Sequence, residues 1–208
     1  MNILVTGFMG HIGYSLTKYL VNNGHRVVGL FNSSQNKYPK VSLDKRKLII
    51  KKIDLSDEIQ IREINKKYKI NCCIHTAAVS HEIYAQKDPL NTLKINSLSV
   101  LNILTAINNL KKKIKFINIS TGSVFQEIKK KNKINENLTP TPKSIYAGTK
   151  RLGEIFVSSF NKNRKINCTS LRISWVYGPP IKLRENVIQR GPIPKILYDY
   201  IKKDKKKF

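Results

Sequence analysis

Three glycines at intervals of three within the first thirteen residues constrain this chain more than any other feature. Met1 to Gly13 reads MNILVTGFMGHIG, with the apolar run Ile3, Leu4, Val5 followed at once by Gly7, Gly10 and Gly13. A short, wholly apolar run suits a strand buried on both faces. A helix-period pattern through Ile12, Leu16, Tyr19 and Leu20 comes next. Strand, glycine turn and helix is the order that aims backbone N–H groups and the positive end of a helix at a phosphate. Gly7 permits the tight turn, Gly10 lets the backbone approach a pyrophosphate, and Gly13 lets the helix pack closely on the strand. An ordinary glycine-rich strand-to-helix turn has the same composition, so the rest of the chain has to decide between the two.

The downstream pattern alternates. Residues 26–31 read as a second strand and 48–53 as a third, joined by a polar connection with Pro39. A helix carrying Ile59, Ile61 and Ile64 follows, then a fourth strand at 72–75. A long helical pattern runs from about 89 to 110 through Leu90, Leu93, Leu98, Leu101, Leu104 and Ile107. Residues 114–120 form a fifth strand, 126–143 a polar loop with Pro140 and Pro142, 144–160 a helix, and 166–173 a sixth strand. Strands alternating with helices predict an α/β fold, a doubly wound parallel sheet. Beyond Tyr177-Gly178-Pro179-Pro180 the pattern loosens to a breaker-rich turn, a short helix at 195–200 and a basic end.

Charge excludes less than it suggests. Lys+Arg 39 against Asp+Glu 13 gives a net charge of +26, which raises nucleic acid or an anionic surface as partners. The lysines are spread along the whole chain, together with abundant Ile and Asn, as in a global compositional bias. Nucleic acid is therefore not expected as a partner, while small anions such as nucleotides are favoured. Three cysteines, Cys72 and Cys73 adjacent in an apolar run, fit neither a disulfide framework nor a metal spacing. Buried thiols, no metal site and a reduced, cytoplasmic setting are expected. No cleaved leader and no membrane span is expected, since the first apolar stretch is already a short strand.

Two further constellations carry chemistry. Tyr146 and Lys150 stand four apart at the start of a helix, so phenol and ammonium share one face. A lysine charge beside a phenol favours phenolate, lowering the tyrosine pKa and making a base usable near neutral pH. A surface Tyr and Lys on an amphipathic helix is the plain alternative. Ile119-Ser120-Thr121-Gly122-Ser123 lies at the carboxyl end of the fifth strand, where open α/β sheets bind ligands. A hydroxyl there can hydrogen-bond a substrate oxygen as it changes between alcohol and carbonyl; an ordinary Ser/Thr-rich turn is the alternative.

Taken together, these segments resemble the extended short-chain dehydrogenase/reductase family of NAD(P)-dependent sugar-nucleotide epimerases, dehydratases and reductases. The resemblance rests on Thr6-Gly7-Phe8-Met9-Gly10-His11-Ile12-Gly13, Asp54-Leu55-Ser56-Asp57, His75-Thr76-Ala77-Ala78 and Asn96. It continues through residues 119–125, Tyr146-x-x-x-Lys150 and Leu171-Arg-Ile-Ser-Trp-Val-Tyr-Gly-Pro179. It implies a Rossmann fold over 1–178, with 179–208 the start of a small C-terminal substrate domain. It further implies Tyr146 as catalytic acid/base, Lys150 as its pKa-lowering partner and holder of the nicotinamide ribose, and Thr121 as the catalytic hydroxyl, with Ser120 and Ser123 as substitutes. By the same resemblance Gly7, Met9, Gly10 and Ile12 approach the pyrophosphate, Asp54 and Leu55 the adenine, and Ala77 and Ala78 the cofactor at a strand end. Asn96 either shapes the site from the long helix or is simply a polar position on it. His75 and His81 receive no role. The implied substrate is a nucleotide-linked sugar, and relatives pair as homodimers through the long helix and the Tyr–Lys helix.

Three departures from the family pattern stand out. The acid that NAD-preferring members carry after the second strand is replaced by Phe31, Asn32, Ser33 and Ser34, with Lys37 beyond. Loss of that carboxylate removes repulsion against a 2′-phosphate, so the expectation leans to NADP over NAD, with Asn32 among the cofactor-binding candidates. Gly122-Ser123 follows Thr121 where 4,6-dehydratases carry Asp-Glu, which argues against dehydration. The chain also stops where a substrate domain would begin. A non-catalytic dinucleotide-binding module, or an inactive truncated piece of such an enzyme, therefore stands beside the epimerase or reductase reading.

Overall fold

The computed structural model describes residues 1–32, 43–110, 112–126, 133–164 and 166–178. Six parallel strands make one sheet: β1 Asn2–Thr6, β2 Arg26–Phe31, β3 Leu48–Lys52, β4 Cys72–His75, β5 Lys115–Thr121 and β6 Cys168–Ile173, in the order β3-β2-β1-β4-β5-β6. The strand order reverses beside β1, which pairs with β2 on one side (Leu4 with Val28) and β4 on the other (Leu4 with Cys73). The carboxyl ends of β1 and β4 therefore flank the switch point at which doubly wound sheets bind ligands.

Alternation along β1 builds two cores. Ile3 and Val5 join Phe8, Leu20, Val21, Val27 and Phe31 on the face covered by α1, His11–Asn22. Leu4 joins Val28, Leu30, Ile61, Ile103, Leu104, Phe116 and Val157 on the other face. That second layer consists of α2 (Glu58–Lys67), α5 (Ser99–Asn109) and α6 (Ile145–Arg164). Both faces of the sheet are covered, which is why its central strands read as continuous apolar runs. The start of α2 is fixed by Asp57, whose carboxylate accepts from the Gln60 amide N–H at 2.9 Å and from the Gln60 side chain at 2.6 Å. Cys72, Cys73 and Cys168 are free and buried, and burial raises all three thiol pKa values, Cys168 to about 11.

The elements depart from the sequence expectation in one informative place. The long helix of 89–110 is α4 (Pro89–Leu93), a π turn at Lys94–Leu98 and then α5. A short helix, α3 (Glu82–Lys87), precedes it, capped by the His81 ring, which accepts from the Ile83 N–H at 3.3 Å. A π turn widens the helix by one residue and is retained where side chains hold it. Here Asn96 and Ser97, both buried, are anchored outside their own helix, as described below. The strand end at Gly122–Phe125 winds into a 3-10 turn. Ser33, Ser34, Lys37 and the region 179–208, with its expected helix, lie outside the described residues.

Candidate active site

At the switch point the glycine turn takes the shape its sequence dictates. Gly7 sits at φ +63°, a left-handed conformation that favours glycine, and the Gly10 N–H donates to its carbonyl at 2.8 Å. A Cβ on Gly7 would lie 2.6 Å from the Ala77 backbone, so the turn presses on the end of β4. A Cβ on Gly13 would collide with the Gly7 carbonyl oxygen and lie 2.8 Å from Phe8 Cα. Gly10 is different: a Cβ there would meet only the Gly7 oxygen, at 3.1 Å. Gly10 is also the N-cap of α1 and offers its first turn no side-chain acceptor, and that turn carries no acidic residue. The exposed backbone donors of α1 and the open side of Gly10 fit a pyrophosphate.

A cavity of about 300 Å³ opens beside the turn. Its wall gathers Gly7, Gly10, Asn32, Asp54, Leu55, Ala77 and Ala78, seven of the residues singled out from the sequence, together with Asn91, Lys94 and Ile95. The volume lies at the small end of ligand sites, suited to a nucleoside half. The Ser56 N–H donates to Asp54 at 2.9 Å and, with Lys94 at 3.4 Å, holds the Asp54 carboxyl below its usual pKa. Met9 packs against the α1 core, and Ile12 is half-buried on the first turn of that helix.

The Tyr–Lys pair begins α6, one helical turn apart. Lys150 is 3% exposed, and its ammonium donates to the Ile119 carbonyl of β5 at 2.5 Å. Burial lowers its pKa to about 8, partly opposed by the Glu154 carboxylate. Thr121, at the end of β5, accepts from the Ser123 N–H at 3.1 Å, which leaves its O–H as a donor. Ser120 instead gives its proton to Glu154 at 2.6 Å. Asn96 reaches across from the π turn. Its side-chain oxygen accepts from the Val79 N–H at 2.8 Å, while its amide nitrogen donates to the Val79 carbonyl at 3.2 Å and the Thr149 hydroxyl at 3.1 Å. Ser97 donates to the Thr149 carbonyl at 2.8 Å. Asn96 thus ties the chain beyond β4 to the helix of Tyr146 and Lys150, with its amide occupied by protein partners.

His75, given no role from the sequence, is buried and bonded at both ring nitrogens, to Thr6 at 2.8 Å and Ser99 at 3.2 Å. Burial drives its pKa to about 3, with the Lys150 charge adding to the effect, so the ring is neutral. Ser99 already donates to the Ile95 carbonyl at 2.6 Å, which assigns the ring proton to the nitrogen facing Ser99. A neutral cross-brace between β1, β4 and α5 results. Glu154 also escaped notice in the sequence. It is 3% exposed and receives Ser120, Arg151 and both sides of the Arg172 guanidinium. Its spacing of four from Lys150 and eight from Tyr146 was the available signal. Among the described residues, no cluster of three or more His, Cys, Asp or Glu could hold a metal ion, and no helix is long and apolar enough to cross a membrane.

A parallel doubly wound sheet with a glycine turn, an uncapped helix N-terminus and a cavity at its switch point is a Rossmann-like arrangement. Comparison with known proteins makes this specific. The chain belongs to the NAD dependent epimerase/dehydratase family, whose sequence profile matches residues 3–205. It is 32% identical over 187 residues to an uncharacterised protein of Methanocaldococcus jannaschii, covering 85% of this chain and 57% of that one. A UDP-glucose 4-epimerase from Thermotoga maritima, solved with UDP-glucose, is 30% identical with a TM-score of 0.77, over 86% of this chain and 57% of the other. A UDP-N-acetylglucosamine 4-epimerase from Methanobrevibacter ruminantium, in complex with UDP-N-acetylmuramic acid, is 27% identical with a TM-score of 0.84, over 97% and 63%. The chain spans about half the length of the curated relatives it matches.

Proposed function

We propose that this chain carries the cofactor-binding and proton-handling portion of an NAD-dependent enzyme that transfers hydride at a hydroxyl-bearing carbon of a nucleotide-linked sugar. The observation that carries the reading is the placement of α6. It brings Lys150, one helical turn from Tyr146, onto the Ile119 carbonyl of β5 two residues before Thr121, in the same sheet whose glycine turn and cavity suit a dinucleotide. The epimerase relatives support the sugar-nucleotide class, and epimerisation at carbon 4 is the reaction their names favour.

In this mechanism Tyr146 takes the proton of the substrate hydroxyl and returns it to the carbonyl oxygen on the reverse step. The Lys150 ammonium favours the phenolate form electrostatically and donates to ribose hydroxyls. Thr121 donates its O–H to the reacting oxygen, where negative charge develops. Gly7, Gly10 and the first turn of α1 hold the pyrophosphate through backbone N–H groups, and Asp54 and Leu55 border the adenine. A nicotinamide cofactor held in this cradle would supply the hydride chemistry.

The family description speaks for NAD and does not support the lean to NADP drawn from the missing acid. Asn32, on the cavity wall, offers a neutral amide to the ribose in its place. Pairing of two copies through α5 and α6 belongs to the same reading, supported by the exposed Leu98 and Ile155, and sedimentation velocity would detect it. The test of function is titration with NADH and NADPH, followed by a screen for reduced nicotinamide over UDP-hexoses and UDP-hexuronic acids. Tighter NADH binding and sugar-dependent reduction are expected. Cofactor binding without any redox change would favour a non-catalytic module.

A further inference from the structure

We propose that Glu154 is a positioning residue that holds the Thr121 strand end and the Tyr146–Lys150 helix in a single register. The proposal rests on the functional reading above and goes beyond it. Tyr146, Lys150 and Glu154 fall at intervals of four on one face of α6. A carboxylate that is 3% exposed must be compensated, and here both oxygens are filled. Oε1 accepts from the Ser120 hydroxyl at 2.6 Å and Arg172 Nε at 3.0 Å. Oε2 accepts from Arg172 Nη2 and Arg151 Nη1, each at 2.9 Å.

These partners are not a chance surface cluster. Ser120 and Arg172 face each other in the β5–β6 register, so one side chain grips both strands at the same level. Ile119, the residue before Ser120, is held by Lys150, and Thr121 is the residue after it. Helix α6 therefore fastens two consecutive positions of β5 immediately before the candidate catalytic hydroxyl. The Arg172 guanidinium also lies 4.9 Å over the Phe125 ring, bracing the far end of the 3-10 turn that Thr121 opens. A bidentate guanidinium–carboxylate pair fixes direction as well as distance.

The same carboxylate sets the charge around Lys150. The charged and titratable groups facing that ammonium are Glu154 of its own helix and the neutral His75 of β4, with Arg151 and with Arg172 of β6 beyond Glu154. Glu154 favours the charged lysine against burial. Without it, two guanidinium groups lose their shared partner, and Lys150 gives up its proton at lower pH. The ribose contact then weakens at lower pH as well.

The test measures NADH affinity of the full chain by fluorescence from pH 6 to pH 10, in wild type, Glu154→Gln, Glu154→Asp and Lys150→Met. Wild-type affinity should fall about tenfold as pH rises through about 8. Glu154→Gln should move that midpoint down by about one pH unit, Glu154→Asp should return it toward wild type, and Lys150→Met should abolish the limb. Should Glu154→Gln not fold, the double variant Glu154→Gln/Arg172→Gln leaves no unpaired guanidinium on β6, and the same direction of shift is expected. A folded Glu154→Gln chain, or the double variant in its place, with the wild-type midpoint and a limb still dependent on Lys150 would overturn the positioning role alone. Absence of NADH binding in wild type, or an unchanged limb in Lys150→Met, would overturn the site reading and this proposal with it.

Discussion

Replacing Lys150 by methionine separates what the lysine does for the fold from what it does for the site. Its ammonium is buried, and burial lowers its pKa from 10.5 to about 8. At about 1.4 kcal/mol per pH unit, that difference corresponds to about 3 kcal/mol of disfavoured charge in the folded chain. Below pH 8 both folded and unfolded lysine are protonated, and the whole penalty is present. Between pH 8 and 10.5 the unfolded lysine keeps its proton while the folded one has released it, so stability from this group rises with pH. Methionine removes the penalty but leaves the Ile119 carbonyl without its Nζ partner, a loss of about 1 kcal/mol. Lys150→Met should therefore be more stable than wild type by about 2 kcal/mol at pH 7, and Tm should rise by roughly 4–8 °C for a chain of this size. The difference should shrink as pH rises and reverse sign by pH 10.5, because the folded wild-type lysine is by then neutral and still bonds the Ile119 carbonyl. Circular dichroism melts of both chains at pH 7, 9 and 10.5 read this difference. A variant less stable than wild type at pH 7, or a gap that does not change with pH, would refute the reasoning.

Other outcomes follow from the same geometry. Gly13→Ala forces a Cβ against the Gly7 oxygen and to 2.8 Å from Phe8 Cα, and should lower stability by at least about 2 kcal/mol; an unchanged urea midpoint would contradict this. Gly10→Ala meets a single atom at 3.1 Å in an ordinary extended conformation, so stability should hold within about 1 kcal/mol while NADH affinity drops; calorimetry separates the two effects. Asn96→Ala removes three anchors on Val79 and Thr149, and should cost about 2–3 kcal/mol with faster amide exchange at Val79. Retained protection there would show that the π turn does not hold that segment.

Much of this architecture was legible in the sequence because local pattern and global fold agree. The apolar runs at 3–5 and 72–75 and the glycine spacing at 7–13 each have a single comfortable setting, a parallel strand or its turn. Gly7, Gly10, Asp54, Leu55, Ala77 and Ala78, named from the sequence, line one cavity because topology brings the carboxyl ends of neighbouring strands together. What escaped depended on partners far along the chain. The π turn at Lys94–Leu98 has no periodic signature, because Val79 and Thr149 stabilise it from outside. Glu154 drew no reading from the sequence, since what compensates its burial, Arg172 on β6 and Ser120 on β5, lies far along the chain. Lys94 likewise joined the cavity wall through Asp54, forty residues away. The lean to NADP rests on an absent acid together with Ser33, Ser34 and Lys37, which lie outside the described residues, and the family description speaks for NAD.

The most direct test compares wild type with Tyr146→Phe, full chain in both cases, in NAD with UDP-hexoses and UDP-hexuronic acids. Reduced-nicotinamide absorbance is followed together with the NMR signal of the carbon-4 epimer. Wild type is expected to turn over. Tyr146→Phe is expected to lose roughly 10²–10⁴-fold in rate, the contribution of a positioned acid/base, with NAD affinity little changed. Turnover by Tyr146→Phe at the wild-type rate, or none by wild type with any of these sugars, would contradict the assignment.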